Sequence, residues 1–136
     1  MLSICHRVAF TEAVLVEWKT HESRYALRWR AAMQSRGKVV RLDRQVEALH
    51  LDRSQLNDAQ LAAVEKDLLL VETALAADGC VISLDDKARA AFRVCREENT
   101  RIRTVVWVNP CNPEEDCVTW LRAGAKSEPQ RRLGAH

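Results

Sequence analysis

Two aspartates carry the clearest chemical signal in this chain. Residues 65–89, EKDLLLVETALAADGCVISLDDKAR, read as a helix from Asp67 to about Asp78, a stop at Gly79, an apolar strand over 80–84 and the pair Asp85-Asp86. The helix rises about 16 Å at ~1.5 Å per residue. The strand returns about the same distance at ~3.3 Å per residue. Asp67 and Asp85 are therefore expected on one edge of a sheet, at the carboxyl ends of its strands, where α/β domains build their sites. Two carboxylates meeting there suggest a divalent metal. Mg²⁺ and Mn²⁺ are hard cations that take oxygen ligands and keep waters or phosphate oxygens in their shell. Such ions activate water and neutralise charge on a phosphodiester. Crowded acids repel one another and hold their protons longer, and a bound ion relieves that repulsion.

Glu17 falls in the second turn of the helix that follows the first strand, about 7–8 Å in from the same edge. His21, Arg24 and Arg28 follow it at i+4, i+7 and i+11, which places them on one polar face. Each acid also has a plainer reading. Glu17 could be a solvated residue with an i,i+4 partner. Asp67 could be a first-turn acid at a helix N-terminus, and Asp85 and Asp86 the cap and first-turn residue of the next helix. No nucleophile competes, because Ser83 lies in no elbow motif and no cysteine has a placed histidine. There is no glycine-rich phosphate loop.

Around these residues the chain alternates strands and helices. Residues 8–10 read as a short buried strand, with Thr11 as N-cap and Glu12 in the first turn of a long helix over 12–35 that ends before Gly37. Val14, Trp18, His21, Tyr25, Trp29 and Met33 recur along it at helical spacing as a core stripe. A second strand follows at 38–42, then a polar stretch to Val64 whose best helical part is SQLNDAQLAAV. Beyond the central unit come a helix over 87–98, a strand over 103–108 stopped by Asn109-Pro110, and a short helix near 117–123. Residues 124–136 mix Pro, Gly and charges without periodicity and read as a flexible tail. This alternation predicts α/β architecture with a parallel sheet, and right-handed crossovers gather the strand C-termini on one edge.

With 136 residues, 47% hydrophobic and 29% charged, the chain is one ordinary globular domain. A net charge of +2 does not by itself argue for nucleic acid. However, Arg24, Arg28, Arg30, Arg36, Lys38, Arg41 and Arg44 crowd one third of the chain, as a solvated face or as a groove for phosphates. Five scattered cysteines without a C-x-x-C pair support neither a disulfide framework nor a zinc site. His6 and Arg7 interrupt the only apolar N-terminal run, so neither a signal peptide nor a membrane span is expected, and the expected location is cytoplasmic.

The order of strand, helix with Glu17, K-D-x-x-L (Lys66, Asp67, Leu70) and V-I-S-L-D (Val81 to Asp85) resembles the PIN domain family. The E-W-x-x-H segment (Glu17, Trp18, His21), Arg89 and the W-V-N-P end (Trp107 to Pro110) extend the resemblance over residues 5–123. It implies a three-layer α/β/α fold and a Mg²⁺- or Mn²⁺-dependent nuclease acting on RNA, with Glu17, Asp67 and Asp85 as catalytic metal ligands. It also implies that Ser83 helps to hold the site. Asp86 has no clear counterpart and is either a substitute ligand or a cap. His21, Arg24 and Arg28 are the candidate substrate contacts.

Many members of the family are toxins of toxin–antitoxin pairs and dimerise, which implies an antitoxin protein and a second copy as partners. The departure from the family pattern is the absence of its opening strand and first Asp. Two explanations fit: a start upstream of an N-terminally truncated reading, or loss of the first acid, leaving an inactive binding remnant. The missing strand would lie between the strands at 8–10 and 80–84, so those two are expected either as neighbours or flanking a gap.

Overall fold

The computed structural model describes residues 3–43 and 46–135; Arg44 of the basic cluster lies outside the described residues. Strand β1 (Val8–Phe10) passes through Thr11 into helix α1 (Glu12–His21), and the Thr11 hydroxyl accepts from Val14 N–H. The helix expected over 12–35 is in fact two. Glu22 is extended, and Ser23 caps a second helix, α2 (Arg24–Ser35), by accepting from Ala26 N–H at 3.1 Å. A serine hydroxyl offers the backbone a cap in place of continuation, and Glu22 closes the corner by a two-pronged ion pair to Arg30. The break also splits the expected core stripe. Val14 and Met33 are buried, whereas His21 is exposed and Tyr25 is 79% exposed.

After Gly37, whose φ of +65° ends α2, strand β2 (Val39–Arg41) pairs in parallel with β1, Val8 opposite Val39. Helix α3 (Asp58–Ala76) begins well before the expected start at Asp67. Asn57 and Gln60 form a reciprocal capping box there, and Asp67 sits mid-helix. Gly79, with φ +75°, returns its N–H to Ala74 C=O at 2.8 Å and turns the chain into strand β3 (Cys80–Ile82). Helix α4 (Asp86–Val94) follows, then the short α5 (Thr100–Thr104) and strand β4 (Val106–Val108). Arg103 and Thr104, expected in the strand, belong to the helical turn that Asn99 caps. Helix α6 (Cys117–Arg122) starts at Asp116.

The architecture is mixed α/β with parallel pairing. In place of one sheet there are, among the described residues, two parallel pairs, β1–β2 and β3–β4, the latter with Val81 opposite Trp107. Strands β1 and β3 are not paired with each other, and both wall a cavity of about 260 Å³ with Trp18, Leu70 and Thr73. The main core joins α3, α4, β3 and β4 around Val71, Phe92 and Trp107, with the Phe92 and Trp107 rings 5.9 Å apart. A smaller cluster of Phe10, Val14 and Leu15 packs on Trp18.

The C-terminal segment is not a loose tail. Leu133 is 0% exposed within the main core, and its N–H donates to Val105 C=O at 2.8 Å. Arg132 bridges Val106, and the Arg131 guanidinium stacks over Trp120 at 5.3 Å. An apolar anchor and the open edge of β4 together hold this segment. All five cysteines are free thiols, and burial pushes that of Cys80 up to about 12. Among the described residues, no helix is long and apolar enough to cross a membrane.

Candidate functional site

Glu17, Asp67 and Asp85 approach one notch from three elements. Helix α1 brings Glu17, α3 brings Asp67, and the turn after β3 brings Asp85. Glu17, His21, Lys66, Asp67 and Ser83 line a cavity of about 370 Å³ beside Trp18. Asp67, Lys66 and Ser83 also line the adjoining cavity of about 770 Å³, together with Asp85 and Asp86. Asp67 is thus the acid common to both halves.

The three acids differ in environment. Glu17 is exposed at the rim. Asp67 is half-buried, and its Oδ2 is cut off from water without a hydrogen-bond partner. Burial pushes its carboxyl above the ordinary range, and the neighbouring charges of Asp85 and Glu17 push in the same direction against the pull of Lys66. Asp85 is held below the ordinary range, first by Ala88 N–H donating to Oδ1 at 2.9 Å and then by Lys66, whose Nζ donates to Oδ2 at 3.1 Å. Asp85 therefore caps α4 with one oxygen and meets the notch with the other. Ser83 fixes its backbone, because Ser83 Oγ accepts from Asp85 N–H at 3.1 Å.

Asp86 lines the outer cavity but is engaged elsewhere. Its Oδ2 accepts from Asn109 Nδ2 at 2.7 Å, and Arg89 lies 3.9 Å from Oδ1. Arg89 also pairs with Glu115, whose Oε2 accepts from Asn109 N–H. Burial raises the Glu115 carboxyl, but Arg89 and Asn109 outweigh it and hold the group below its usual range. This network ties the loop after β4 to α4. The sequence signalled it only through Asn109-Pro110 and Arg89, and gave no sign of Glu115. Arg24 and Arg28 are exposed on α2 and line neither cavity, so the structure does not bring them to the acids as it does His21.

The donor set suits a hard cation, since the carboxylates of Glu17, Asp67 and Asp85 and the Ser83 hydroxyl are all oxygen. Their spacing does not close on one ion: among the described residues, no three His, Cys, Asp or Glu side chains are grouped to hold a metal. Two lysines, Lys66 and Lys87, line the outer cavity with the acids, and Lys66 makes the contact to Asp85. The Lys66 ammonium is attracted also by Asp67 and Glu17. The sequence marked Lys66 only as a neighbour of Asp67. The chain matches no known family model. Comparison with curated proteins and with solved structures also finds no match.

Proposed function

We propose that this chain is a PIN-like endoribonuclease of the cytoplasm, which hydrolyses phosphodiesters at a carboxylate notch loaded with Mg²⁺ or Mn²⁺. The observation that carries this reading is Asp67, a half-buried carboxylate with one oxygen shielded from water and unpaired, on the wall shared by the Glu17 and Asp85 cavities. A buried, unpaired carboxylate is costly unless a cation or proton meets it. Sites whose acids are held in such tension are candidates for chemistry. Asp67 and Asp85 would hold the ion, with Glu17 on the facing helix. A bound divalent ion would supply charge neutralisation and Lewis acidity to a phosphodiester.

The chain's own residues have separate tasks. Ser83 and the α4 cap fix Asp85, Lys66 offers an ammonium to a phosphate oxygen, and His21 stands at the rim as a substrate contact. The resemblance to PIN domains supports RNA as the substrate, and an antitoxin protein or a second copy of the chain as partners. The test is incubation of the purified chain with structured RNA and Mn²⁺. Cleavage is expected, and Asp67→Asn is expected to abolish it. Intact RNA at every Mn²⁺ concentration would overturn the reading.

A second reading has an observation of its own. The Lys66–Asp85 pair already neutralises one acid of the notch, which favours an inactive PIN-like remnant that binds RNA or protein without cutting. RNA retained by the chain but not cleaved, with or without Mn²⁺, is the result expected from it.

A further inference from the structure

The arginines that the acidic notch leaves unused lie together on α2. From Arg24 to Arg41 the chain carries six cations and no acid. Those charges exceed the net +2 of the whole chain, so the rest of the molecule is net negative and the positive field is local. The inner side of α2 is made by Met33, buried, with Ala26, Trp29 and Arg30 half-buried beside it, and Arg30 is taken by Glu22. Arg24, Tyr25, Leu27 and Arg28 lie outside that face and are exposed.

Folding does not account for this arrangement. Arg24 and Arg28 are like charges at i,i+4, a spacing that destabilises a helix. Arg24 also opens the first turn, at the positive end of the helix dipole, where α2 has no acid. Among the described residues neither arginine has a hydrogen bond or an ion pair, in contrast to Arg30. Tyr25, 79% exposed, lies between them in the chain and neighbours Arg28 at i,i+3. Among the described residues neither a second ring nor a guanidinium lies on the Tyr25 ring. An open ring face and two unpaired guanidinium groups are what a base and its flanking phosphates require.

We propose that the first two turns of α2 form a docking platform for single-stranded RNA, on which a base stacks against Tyr25 while Arg24 and Arg28 meet phosphates. It rests on the reading of RNA as the chain's ligand, and it needs no metal. Stacking on an aromatic ring accepts any base but requires that the base be out of a duplex. Charge-assisted bonds to phosphate offset the cost of placing the two arginines side by side. Charge complementarity selects a polyanion, and the open ring selects one that carries bases over an acidic protein segment. The platform is also close to the notch along the chain. His21 lines the inner cavity, and only Glu22 and Ser23, both extended, separate it from Arg24. Three residue steps span at most about 11 Å, and the Glu22–Arg30 pair holds that corner. A strand seated on α2 thus lies within one such span of the cavity rim.

The test is binding of a labelled, unstructured RNA of about ten nucleotides, followed by fluorescence anisotropy with the full chain in chelator over a range of salt. The variants are Tyr25→Ala, Tyr25→Phe and the double variant Arg24→Gln with Arg28→Gln. Arg122→Gln, exposed at the end of α6, is the charge control. Tyr25→Ala is expected to weaken binding at least about fivefold through the loss of one stacked base, whereas Tyr25→Phe retains it. The double variant is expected to bind less tightly and to lower the slope of log K against log salt by about 1.4, the value for two phosphate contacts on a single strand. It is also expected to melt no lower than the wild type, because a like-charge pair has been removed. Arg122→Gln behaves as the wild type.

Binding unchanged in every α2 variant would overturn the platform and leave the nuclease reading standing. Loss in the arginine variant but not in Tyr25→Ala would reduce the face to diffuse charge and overturn the platform as well. Duplex RNA, polyglutamate or DNA of the same sequence held as tightly as the single-stranded RNA would overturn the choice of occupant. No RNA retained by the wild type at low salt would overturn the platform and the RNA-binding remnant together, whereas cleavage in Mn²⁺ reports on the nuclease separately.

Discussion

Asp67 and Asp85 sit on neighbouring elements with opposite titration behaviour, and the difference can be measured without substrate. The Asp67 carboxyl is raised above its ordinary value of 3.8, chiefly by burial, so the folded chain keeps this proton to a higher pH than the unfolded chain does. Its effect on stability is therefore a loss that grows as pH rises from 3.8 through the raised value, and that persists at neutral pH. Asp85 is lowered, first by its cap to Ala88. It stabilises the fold above 3.8, and that contribution is lost only as pH falls through the lowered value. Asp67→Asn should then melt higher than the wild type at pH 7, with the gain shrinking to little by about pH 3.5. Thermal denaturation across that range checks this. A variant that melts lower than the wild type at pH 7 would show that the ionised Asp67 is satisfied and not strained.

At the scale of elements, what could be read in the sequence was what is decided locally. The Thr11 cap, the positive-φ stops at Gly37 and Gly79 and the Asn109-Pro110 strand end all stand where their own residue types place them. The approach of Asp67 to Asp85 was also legible. Helical rise and strand rise fix the level of both residues, whether or not α3 extends beyond Asp67. The break at Ser23 was hidden because the stripe of apolar residues runs through it; the Ser23 cap and the Glu22–Arg30 pair, eight residues apart, mark the corner. The seat of Lys66 was hidden because side-chain placement leaves no trace in spacing. The C-terminal segment was misread because Leu133 is a lone apolar residue whose partners lie far away in the chain. Its burial makes a definite prediction: Leu133→Ala should cost about 2–5 kcal/mol, the range for large-to-small changes in a packed core. Urea denaturation measures it, and a change within about 0.5 kcal/mol would mean that the segment contributes as little as an ordinary surface position.

The whole molecule divides unequally about α3. Among the described residues, thirteen buried side chains form the cluster that joins α3, α4, β3 and β4 and five form one between β4 and α6, whereas three form the cluster under α1 and β1. Full burial of a side chain such as Val, Leu or Phe contributes about 1.5–3 kcal/mol, so the two halves differ by many such increments. The strands follow the same division, with β1–β2 on one side and β3–β4 on the other, and among the described residues no ladder runs between them. Cross-ties between the halves include the Thr11–Thr73 hydroxyl pair at 3.1 Å, His6 Nε2 to Leu121 C=O at 2.7 Å and Ile4 packed on the cluster of β4 and α6. Proteins so divided open in parts, and weakly buried units open first. Amides of α1 and α2 should therefore exchange with solvent well before those of α3, α4 and β4, by an opening that leaves the larger core closed. Glu17 belongs to the weaker half, while Asp67 and Asp85 belong to the stronger. An ion on Asp67 and Asp85 that drew Glu17 toward it would join the halves and slow exchange in α1 selectively, because a ligand stabilises whatever must be closed to bind it. Hydrogen exchange followed by mass spectrometry, with and without Mn²⁺, reads both effects. Uniform exchange across the two halves would show a single cooperative unit. Protection by Mn²⁺ that spares α1 would place the ion on Asp67 and Asp85 without Glu17.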